Sequence, residues 1–185
     1  MAAGSDRGAP SRGIRIRRAG PGDARAIAEV AVAGWRAAYR GILSDDFLDA
    51  MQVEAREAAW HEMLTRDVDG GNPAWVAELA GGVVGFVSCG PPRDEDVPLP
   101  AAEIYAIYVL ARMSRQGLGR ALLDTALGHC RAGGAATAVL WVFRDNAPAR
   151  AFYEAMGWQP DGGRQEIELA GTSAIEVRYR IRTGA

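Results

Sequence analysis

The chain has 185 residues, of which 49% are hydrophobic and 24% are charged, and its formal net charge is −2 at pH 7. This length and this apolar fraction suit one globular domain with a sizeable core. A charge so close to neutral argues against nucleic acid as a partner, and no apolar stretch is long enough to span a membrane. The first residues also lack the apolar region of a signal peptide. We therefore expect a cytoplasmic protein without a nucleic-acid or membrane partner.

The cysteines and histidines predict neither a disulfide framework nor a metal site. Cys89 and Cys130 are far apart in the sequence. Neither His61 nor His129 has a cysteine or carboxylate partner at ligand spacing. We expect all four to be exposed or packed residues of the fold, and we expect no metal.

The first half of the chain is predicted to contain a strand followed by two helices. Residues 1–12 are rich in Gly, Ala, Ser and Pro and are predicted to be a disordered leader before a single domain at residues 13–185. Alternating and helical spacings then predict, in order, a strand at 12–18, a helix from 23 to an interruption at 41, a helix over 44–64 and a break at 69–73.

The second half is predicted to alternate strands and helices. The predicted elements are strands at 74–79 and 83–89, a loop at 91–100, a strand at 103–110, a helix at 117–131, a strand at 137–143, a helix at 146–156 and strands at 165–169 and 175–181. The whole order, β-α-α-β-β-β-α-β-α-β-β, indicates one mixed α/β domain.

A glycine turn between a buried strand and a helix is the first feature that indicates a ligand. Gly117 and Gly119 open the helix, where unpaired N–H groups and the helix dipole suit a pyrophosphate. Arg115 and Arg120 would add positive charge. No Gly-Lys-Ser/Thr sequence of a P-loop is present, and the dinucleotide pattern G-x-G-x-x-G fails at Leu122. The alternative is that these glycines only end a loop before a packing helix.

Two segments carry a resemblance to a known family. Residues 103–123 resemble motif A of the GNAT superfamily of N-acetyltransferases, written Gln/Arg-x-x-Gly-x-Gly/Ala after a strand and a short loop. Residues 140–160 resemble its motif B, whose positions are filled here by Asn146, Ala149, Phe152, Tyr153, Gly157 and Trp158. The resemblance covers roughly residues 14–182. It implies a mixed, mostly antiparallel sheet flanked by helices, in which the strands before and after motif A splay apart.

The resemblance also implies acetyl-CoA as co-substrate and assigns residues to it. In the family, the strand before motif A pairs with the pantetheine arm and the loop amides hold the pyrophosphate. By position, the residues expected to bind CoA are Ile107, Tyr108, Val109 and Asn146 for the arm and Arg115, Gln116, Gly117, Leu118, Gly119 and Arg120 for the phosphates. Ser114 stands where the family favours Gln or Arg, and Arg115 where glycine is common. We expect these departures to weaken CoA binding without abolishing it.

Two catalytic residues are predicted. The resemblance places the Tyr153 hydroxyl near the thioester sulfur, and a phenol with a pKa of about 10 can protonate a thiolate whose pKa is about 8.5. The alternative for Tyr153 is an aromatic residue packed in the core. Glu103 matches the base glutamate of some members, and its alternative is a solvated strand end. Glu78 and Glu154 are weaker candidates; other members carry a base in the following strand, where this chain has Trp141.

The predicted function is direct transfer of an acetyl group from acetyl-CoA to a primary amine of a small molecule or of a peptide or protein. The sequence leaves open an enzyme with a different acyl donor or a different acceptor nucleophile, and also a non-catalytic acyl-CoA-binding sensor or scaffold. The identity of the acceptor and the formation of a homodimer stay open as well. An acceptor rim could include Trp35, Tyr39, Asp45, Asp46 and Asp49, or these could be core residues and helix N-terminal acids. The loop at residues 94–96 is a further candidate gate.

Overall fold

The computed structural model describes residues 13–67 and 72–184. The predicted leader and most of the predicted break at 69–73 lie outside these residues. One sheet is formed by seven strands of the described chain: β1 (Ile14–Arg18), β2 (Ala74–Leu79), β3 (Gly82–Gly90), β4 (Ala101–Val109), β5 (Thr137–Phe143), β6 (Gln159–Leu169) and β7 (Thr172–Arg182). Their order across the sheet is β1-β2-β3-β4-β5-β7-β6. Only the central pair β4–β5 is parallel.

Helices cover both faces of the sheet. The helices are α1 (Ala24–Ala38), α2 (Asp45–Ala50), α3 (Val53–Asp67), α4 (Leu118–Ala132) and α5 (Ala147–Ala155). Phe86 of β3 packs with α1 and α3, whereas the adjacent Val87 belongs to the core under α4, as expected for a strand buried on both faces. This arrangement confirms the predicted mixed α/β fold with a mostly antiparallel sheet. Within the described ranges, no helix is long and apolar enough to cross a membrane.

The strands β4 and β5 separate halfway along their length, as the resemblance predicts. Residues 101–104 of β4 pair with residues 137–140 of β5, and the pairing goes no further. The register of β4 against β3 shifts at the same point, so that Tyr105 is an extra residue in β4. Such a bulge bends and twists a strand, and here it directs the second half of β4 away from β5. A gap therefore opens in the centre of the sheet.

The predicted helix at 44–64 is wrong in one respect, because the structure divides it into α2 and α3. Met51 has an extended backbone and a buried side chain, and it ends α2. The guanidinium of Arg36 donates to the carbonyl oxygens of Leu48, Asp49 and Met51 at 3.0–3.1 Å. Carbonyls at the end of a helix lack part of their helical partners, and Arg36 supplies hydrogen bonds to these three. The Leu48 carbonyl oxygen also accepts from the Met51 amide at 3.4 Å.

Strand β6 is longer than the predicted 165–169. The preceding residues contain two adjacent glycines and are typical of a turn, but the structure uses them for an irregular stretch within the strand. Gly163 lies directly over Arg178, where an added Cβ would come within 2.7 Å of its Nε. Asp161 accepts hydrogen bonds there from the Gly163 amide and from Arg178. A buried arginine of another strand therefore determines the conformation of this segment.

The cysteines and histidines are packed or exposed residues, as predicted. Cys89 of β3 and Cys130 of α4 are both buried as free thiols. Their side chains are hydrogen-bonded, which lowers the pKa of the Cys130 thiol despite its burial. His61 and His129 are exposed, and the ring of His129 lies 5.0 Å from that of Trp75.

Candidate active site

Two cavities meet where β4 and β5 separate. The first, here called the sheet cavity, has a volume of about 700 Å³ and lies among α1, β4, β5, β6 and β7. The second, the loop cavity, has a volume of about 900 Å³ and lies between the loop after β4 and helix α5. The side chains that line both cavities include those of Ile107, Val109, Ser114, Asn146, Ala149 and Tyr153. These shared residues form the boundary through which one bound molecule could reach from one cavity into the other.

The loop before α4 is shaped for an anion. Gly117 has φ +78°, and a Cβ added to it would contact nothing within 4 Å. None of the backbone N–H groups of residues 115–120 donates to another described residue. These amides lie at the N-terminal end of a 15-residue helix, where the helix dipole favours negative charge. The loop therefore presents a set of unused donors beside open space.

Arginine side chains add charge to the same loop. Arg115 and Arg120 line the loop cavity, are exposed, and have no ion-pair partner within the described chain. Arg115 has φ +61°, a conformation that favours glycine. This explains why glycine is common at that position in the motif, and it shows that arginine does not prevent the turn. Gln116 is not part of the cavity lining, and its side chain donates toward the Arg112 carbonyl oxygen at 3.5 Å.

The free half of β4 supplies the residues predicted for the pantetheine arm. Ile107 and Val109 line both cavities, whereas Tyr108 lines only the sheet cavity. The Tyr108 and Tyr39 hydroxyl oxygens lie 2.7 Å apart. Gly34 allows this contact between α1 and β4, because a Cβ there would come within 2.4 Å of the Tyr108 ring. The backbone of β4 beyond residue 104 has no strand partner on the side of β5.

Helix α5 brings Asn146 and Tyr153 to the boundary of the two cavities. Asn146 is buried at the N-terminus of the helix, and its Oδ1 accepts from the Ala149 amide at 3.2 Å. Seven residues later, Tyr153 lies on the same face of the helix and is 9% exposed. Burial, and to a lesser degree the neighbouring Tyr39, raises the pKa of Tyr153 above its usual value of about 10. A phenol in this environment keeps its proton at neutral pH.

Glu103 occupies a different environment from the one predicted for a base. Its side chain is fully buried and is not part of the lining of either cavity. One carboxylate oxygen accepts from the Arg93 amide at 2.9 Å, and the other is held by the Arg93 guanidinium. The pair fixes the start of the loop after β3 against β4. This geometry favours a positioning role for Glu103 over that of a base that contacts the acceptor.

The predicted acceptor rim is only partly assembled. Trp35 and Tyr39 line the sheet cavity. Asp45 and Asp49 instead form ion pairs with Arg40, and Asp46 is an exposed residue in the first turn of α2. Of the predicted gate at residues 94–96, Asp94 lines the sheet cavity.

A charged cluster that the sequence did not predict adjoins the sheet cavity at Asp94. Arg178 of β7 is only 5% exposed, and its guanidinium binds the carboxylates of Asp94, Asp96 and Asp161 at 2.7–3.1 Å. Asp94 also accepts from Trp141 Nε1 at 2.9 Å. The cluster therefore attaches the loop after β3 to strands β5, β6 and β7. The isolated arginine in an alternating strand gave no signal that it would be buried.

A second missed residue is Glu176 of β7, which lines the sheet cavity. It lies between Phe143 of β5 and Gln165 of β6 in the strand register, and Gln165 Nε2 donates to its Oε2 at 2.7 Å. Burial raises the pKa of this carboxyl above its usual range. Sequence spacing relates Glu176 to neither motif, so only the closing of the sheet brings it to the site.

Solved structures share this architecture. The PaiA N-acetyltransferase of Thermoplasma acidophilum, determined in complex with coenzyme A, superposes with a TM-score of 0.70 at 20% identity, covering 91% of this chain and 98% of that one. YncA of Salmonella typhimurium, determined with acetyl-CoA, superposes with a TM-score of 0.67 at 22% identity, covering 93% and 95%. At such identities these likenesses establish the fold.

Sequence comparison identifies the family. YuaI of Bacillus subtilis, named as an N-acetyltransferase, is 33% identical over 166 residues, which is 89% of this chain and 90% of that protein. Rv2775 of Mycobacterium tuberculosis, named as a probable N-acetyltransferase, is 33% identical over 176 residues, which is 93% and 95%. The sequence pattern of the Acetyltransferase (GNAT) family matches residues 35–158. The chain therefore belongs to the GNAT family and is an N-acetyltransferase.

Proposed function

We propose that the protein transfers the acetyl group of acetyl-CoA directly to a primary amine of a small molecule or of a peptide or protein. The observation that carries the proposal is the continuous path formed by the loop cavity, the free half of β4 and the sheet cavity. An elongated acyl thioester with an anionic end fits such a path. Its phosphates would meet the loop, and its acyl end would reach the sheet cavity.

The loop after β4 would hold the pyrophosphate. The amides of residues 115–120 are unused donors at a helix N-terminus, and Arg115 and Arg120 add two positive charges. Hydrogen bonds from these amides to charged oxygens are stronger than those between neutral groups. Binding of the pyrophosphate would depend mainly on backbone amides. Ser114 and Arg115 can therefore replace the usual motif residues without abolishing it.

The pantetheine arm would run along the free half of β4, beside Ile107 and Val109, toward Asn146. The backbone of this half has no partner on the side of β5, so its polar groups are available to the amides of the arm. Asn146 uses its Oδ1 as the cap of α5, which leaves its NH₂ group to donate to the arm. We assign Tyr108 to the wall of the acceptor side, because its hydroxyl pairs with Tyr39.

Tyr153 would act as the general acid. It lines both cavities, so its hydroxyl is available where the thioester would lie. Its raised pKa keeps it protonated until a thiolate departs. The acceptor amine attacks the acetyl carbonyl, the carbon–sulfur bond breaks, and the sulfur takes the phenol proton. No covalent acetyl-enzyme is required, because donor and acceptor meet in one space.

The proposal is tested by calorimetric titration with acetyl-CoA together with a thiol-release assay over pooled primary amines. We expect saturable binding and thiol release stimulated by at least one pool. Binding without stimulated release by any amine pool would favour an acyl-CoA sensor. Absence of binding would overturn the proposed use of acetyl-CoA.

A further inference from the structure

The acidic residues that line the sheet cavity differ in their hydrogen-bond and ion-pair partners. Within the described part of the chain, the cavity is lined by two carboxylates, those of Asp94 and Glu176. Asp94 is committed to Trp141 and Arg178, which hold it in the wall. Glu176 accepts one hydrogen bond, from Gln165 to Oε2, and its Oε1 accepts none from a described residue. Both bonds to Asp94 go to its Oδ2, but one of them is an ion pair with Arg178, whereas Glu176 forms no ion pair with a described residue. Glu176 is therefore the lining carboxylate whose charge is left for a ligand.

Glu176 is surrounded by groups that do not neutralise it. Tyr39, which follows α1, and Gln165 of β6 are uncharged, and Glu103 of β4 repels it. Arg93, in the loop after β3, attracts it, but its guanidinium is bound by Glu103 and is mostly exposed. A half-buried carboxylate without a dedicated cation gains from a cationic ligand, because the ligand replaces lost hydration.

Tyr39 is an electrostatic neighbour of both Glu176 and Tyr153. Burial, and to a lesser degree the charge of Glu176, raises the pKa of Tyr39, while the Tyr108 hydrogen bond opposes this shift. Tyr39 in turn contributes to the raised pKa of Tyr153. The ring of Tyr39 packs edge-on against Phe143, with centroids 4.8 Å apart. Phe143 is also the register partner of Glu176, and Glu176, Tyr39 and Tyr153 all line the sheet cavity.

We propose that Glu176 binds the ammonium group of the acceptor and removes the proton that blocks its attack. This inference rests on the proposed acetyltransferase function and adds the acceptor class. Trp35 and Tyr39 give the cavity an aromatic lining, and Ile167 and Leu169 add apolar lining. The acceptor class that fits is a primary amine carried by an aromatic or aliphatic group. A cation beside aromatic faces and a carboxylate is stabilised by both.

The proton balance of the step is complete. The acceptor ammonium gives one proton to Glu176, and the neutral amine forms the new carbon–nitrogen bond to the acetyl carbonyl. The carbon–sulfur bond breaks and the sulfur takes the Tyr153 proton. The amide nitrogen then returns its second proton to Tyr153, and Glu176 releases its proton to solvent. The products are the acetylated amine, CoA thiol and one released proton.

Binding of a probe amine tests the first half of the proposal. The probe is 2-phenylethylamine, with the uncharged 2-phenylethanol as its partner, titrated calorimetrically into protein saturated with CoA. Wild type should bind the amine at least tenfold more tightly than the alcohol. The Glu176→Gln variant should lose at least tenfold in amine affinity, with alcohol and acetyl-CoA affinity unchanged. Glu168→Gln removes an exposed carboxylate from the neighbouring strand β6, outside the cavity lining, and should behave as wild type.

The pH dependence of acetylation tests the second half. With 2-phenylethylamine as acceptor, wild-type kcat/KM should fall as the pH drops through the pKa of Glu176, because the protonated carboxyl cannot accept a proton. In Glu176→Gln, kcat/KM should no longer fall at low pH, and in Glu176→Asp this fall should return in part. Equal amine and alcohol affinity in wild type, or unchanged amine affinity and pH profile in Glu176→Gln, would overturn the inference. Failure of the proposed function would appear separately, as absence of acetyl-CoA binding in wild type.

Discussion

The hydroxyl groups of Tyr39 and Tyr108 lie 2.7 Å apart and join helix α1 to the half of β4 that has separated from β5. The Tyr39 ring also packs against Phe143, at the far end of β5. Tyr39 therefore contacts both separated strands and fills part of the gap between them. This contact depends on Gly34, which has no side chain to keep the Tyr108 ring away from α1.

The hydroxyl pair should show coupling in a double-mutant cycle. Tyr39→Phe and Tyr108→Phe should each lower the free energy of unfolding by about 1 kcal/mol, because one hydroxyl is left without its partner. The double variant should lose little more than either single variant, since it leaves no unpaired hydroxyl. Urea denaturation measures all three. Additive losses would show that the two hydroxyls do not interact in solution.

Gly117→Asp should abolish measurable acetyl-CoA binding. The new carboxylate would enter the open space beside the loop amides and repel a pyrophosphate. We expect at least a loss on the order of 100-fold, about 2.7 kcal/mol, in calorimetric titration. Gly171→Asp is the matched control, because Gly171 has φ +76° and open space around it but lies in the turn between β6 and β7. Similar loss in both variants would attribute the effect to backbone strain.

Tyr153→Phe should lower kcat by about 100-fold or more while leaving the dissociation constant of acetyl-CoA unchanged. The variant keeps the packed ring and removes only the proton donor. Because the pKa of Tyr153 is raised, wild-type activity should not decline through titration of this group below about pH 10. Single-turnover kinetics beside calorimetry separates the two quantities. An unchanged chemical rate would remove Tyr153 from the mechanism.

Glu103→Gln should affect stability more than chemistry. Glu103 is fully buried and held by Arg93, which is 64% exposed. We expect the variant to lose about 1–2 kcal/mol of unfolding free energy and to keep its pH profile. Arg93→Met should cost more, about 3 kcal/mol, because it leaves a buried carboxylate without its cation. The opposite outcome would be a stable Glu103→Gln protein whose kcat falls 100-fold and no longer declines at acid pH. That outcome would identify Glu103 as the base.

The Arg178 cluster should make stability depend on acid pH. The hydrogen bond from Arg178 lowers the pKa of Asp96. For Asp161, burial pushes the pKa upward, but the Gly163 amide and Arg178 outweigh it, so the pKa is also lowered. Carboxyls with lowered folded-state pKa values stabilise the protein above their unfolded pKa of about 3.9, and this stability is lost as the pH falls further.

Arg178→Met should reveal that dependence. The variant should be about 3 kcal/mol less stable than wild type at pH 7, because Asp161 would keep only Arg180 as a cation and Asp94 would keep only the hydrogen bond from Trp141. The difference should shrink between pH 5 and pH 3 as Asp96 and Asp161, whose pKa values Arg178 lowers, become protonated. Thermal unfolding over that range measures it. A difference that stays constant with pH would mean that Arg178 stabilises the fold by packing alone.

Local sequence patterns predicted most of the fold. Periodicity located every strand and all the helices except the division at Met51, because each of these elements has its own apolar face. The motif segments likewise indicated the loop at residues 115–120 and the helix from Asn146 to Tyr153, since both are continuous in the chain. The predicted start of β6 was wrong, because residues 160–163 are typical of a turn in sequence. Their conformation depends on contacts with Arg178 in another strand.

The sequence by itself determined the family, the order of the elements and the location of the glycine loop before α4. Only the tertiary structure decided the partner of Glu103, the burial of Arg178 and the position of Glu176 in the sheet cavity. The physical reason is the distance along the chain over which these contacts form. Arg178 binds Asp94, which lies 84 residues earlier in the chain, and no local spacing of residues predicts such a contact. Charged side chains on a strand look alike in sequence, and the packed neighbours decide which is solvated, neutralised or turned toward a ligand.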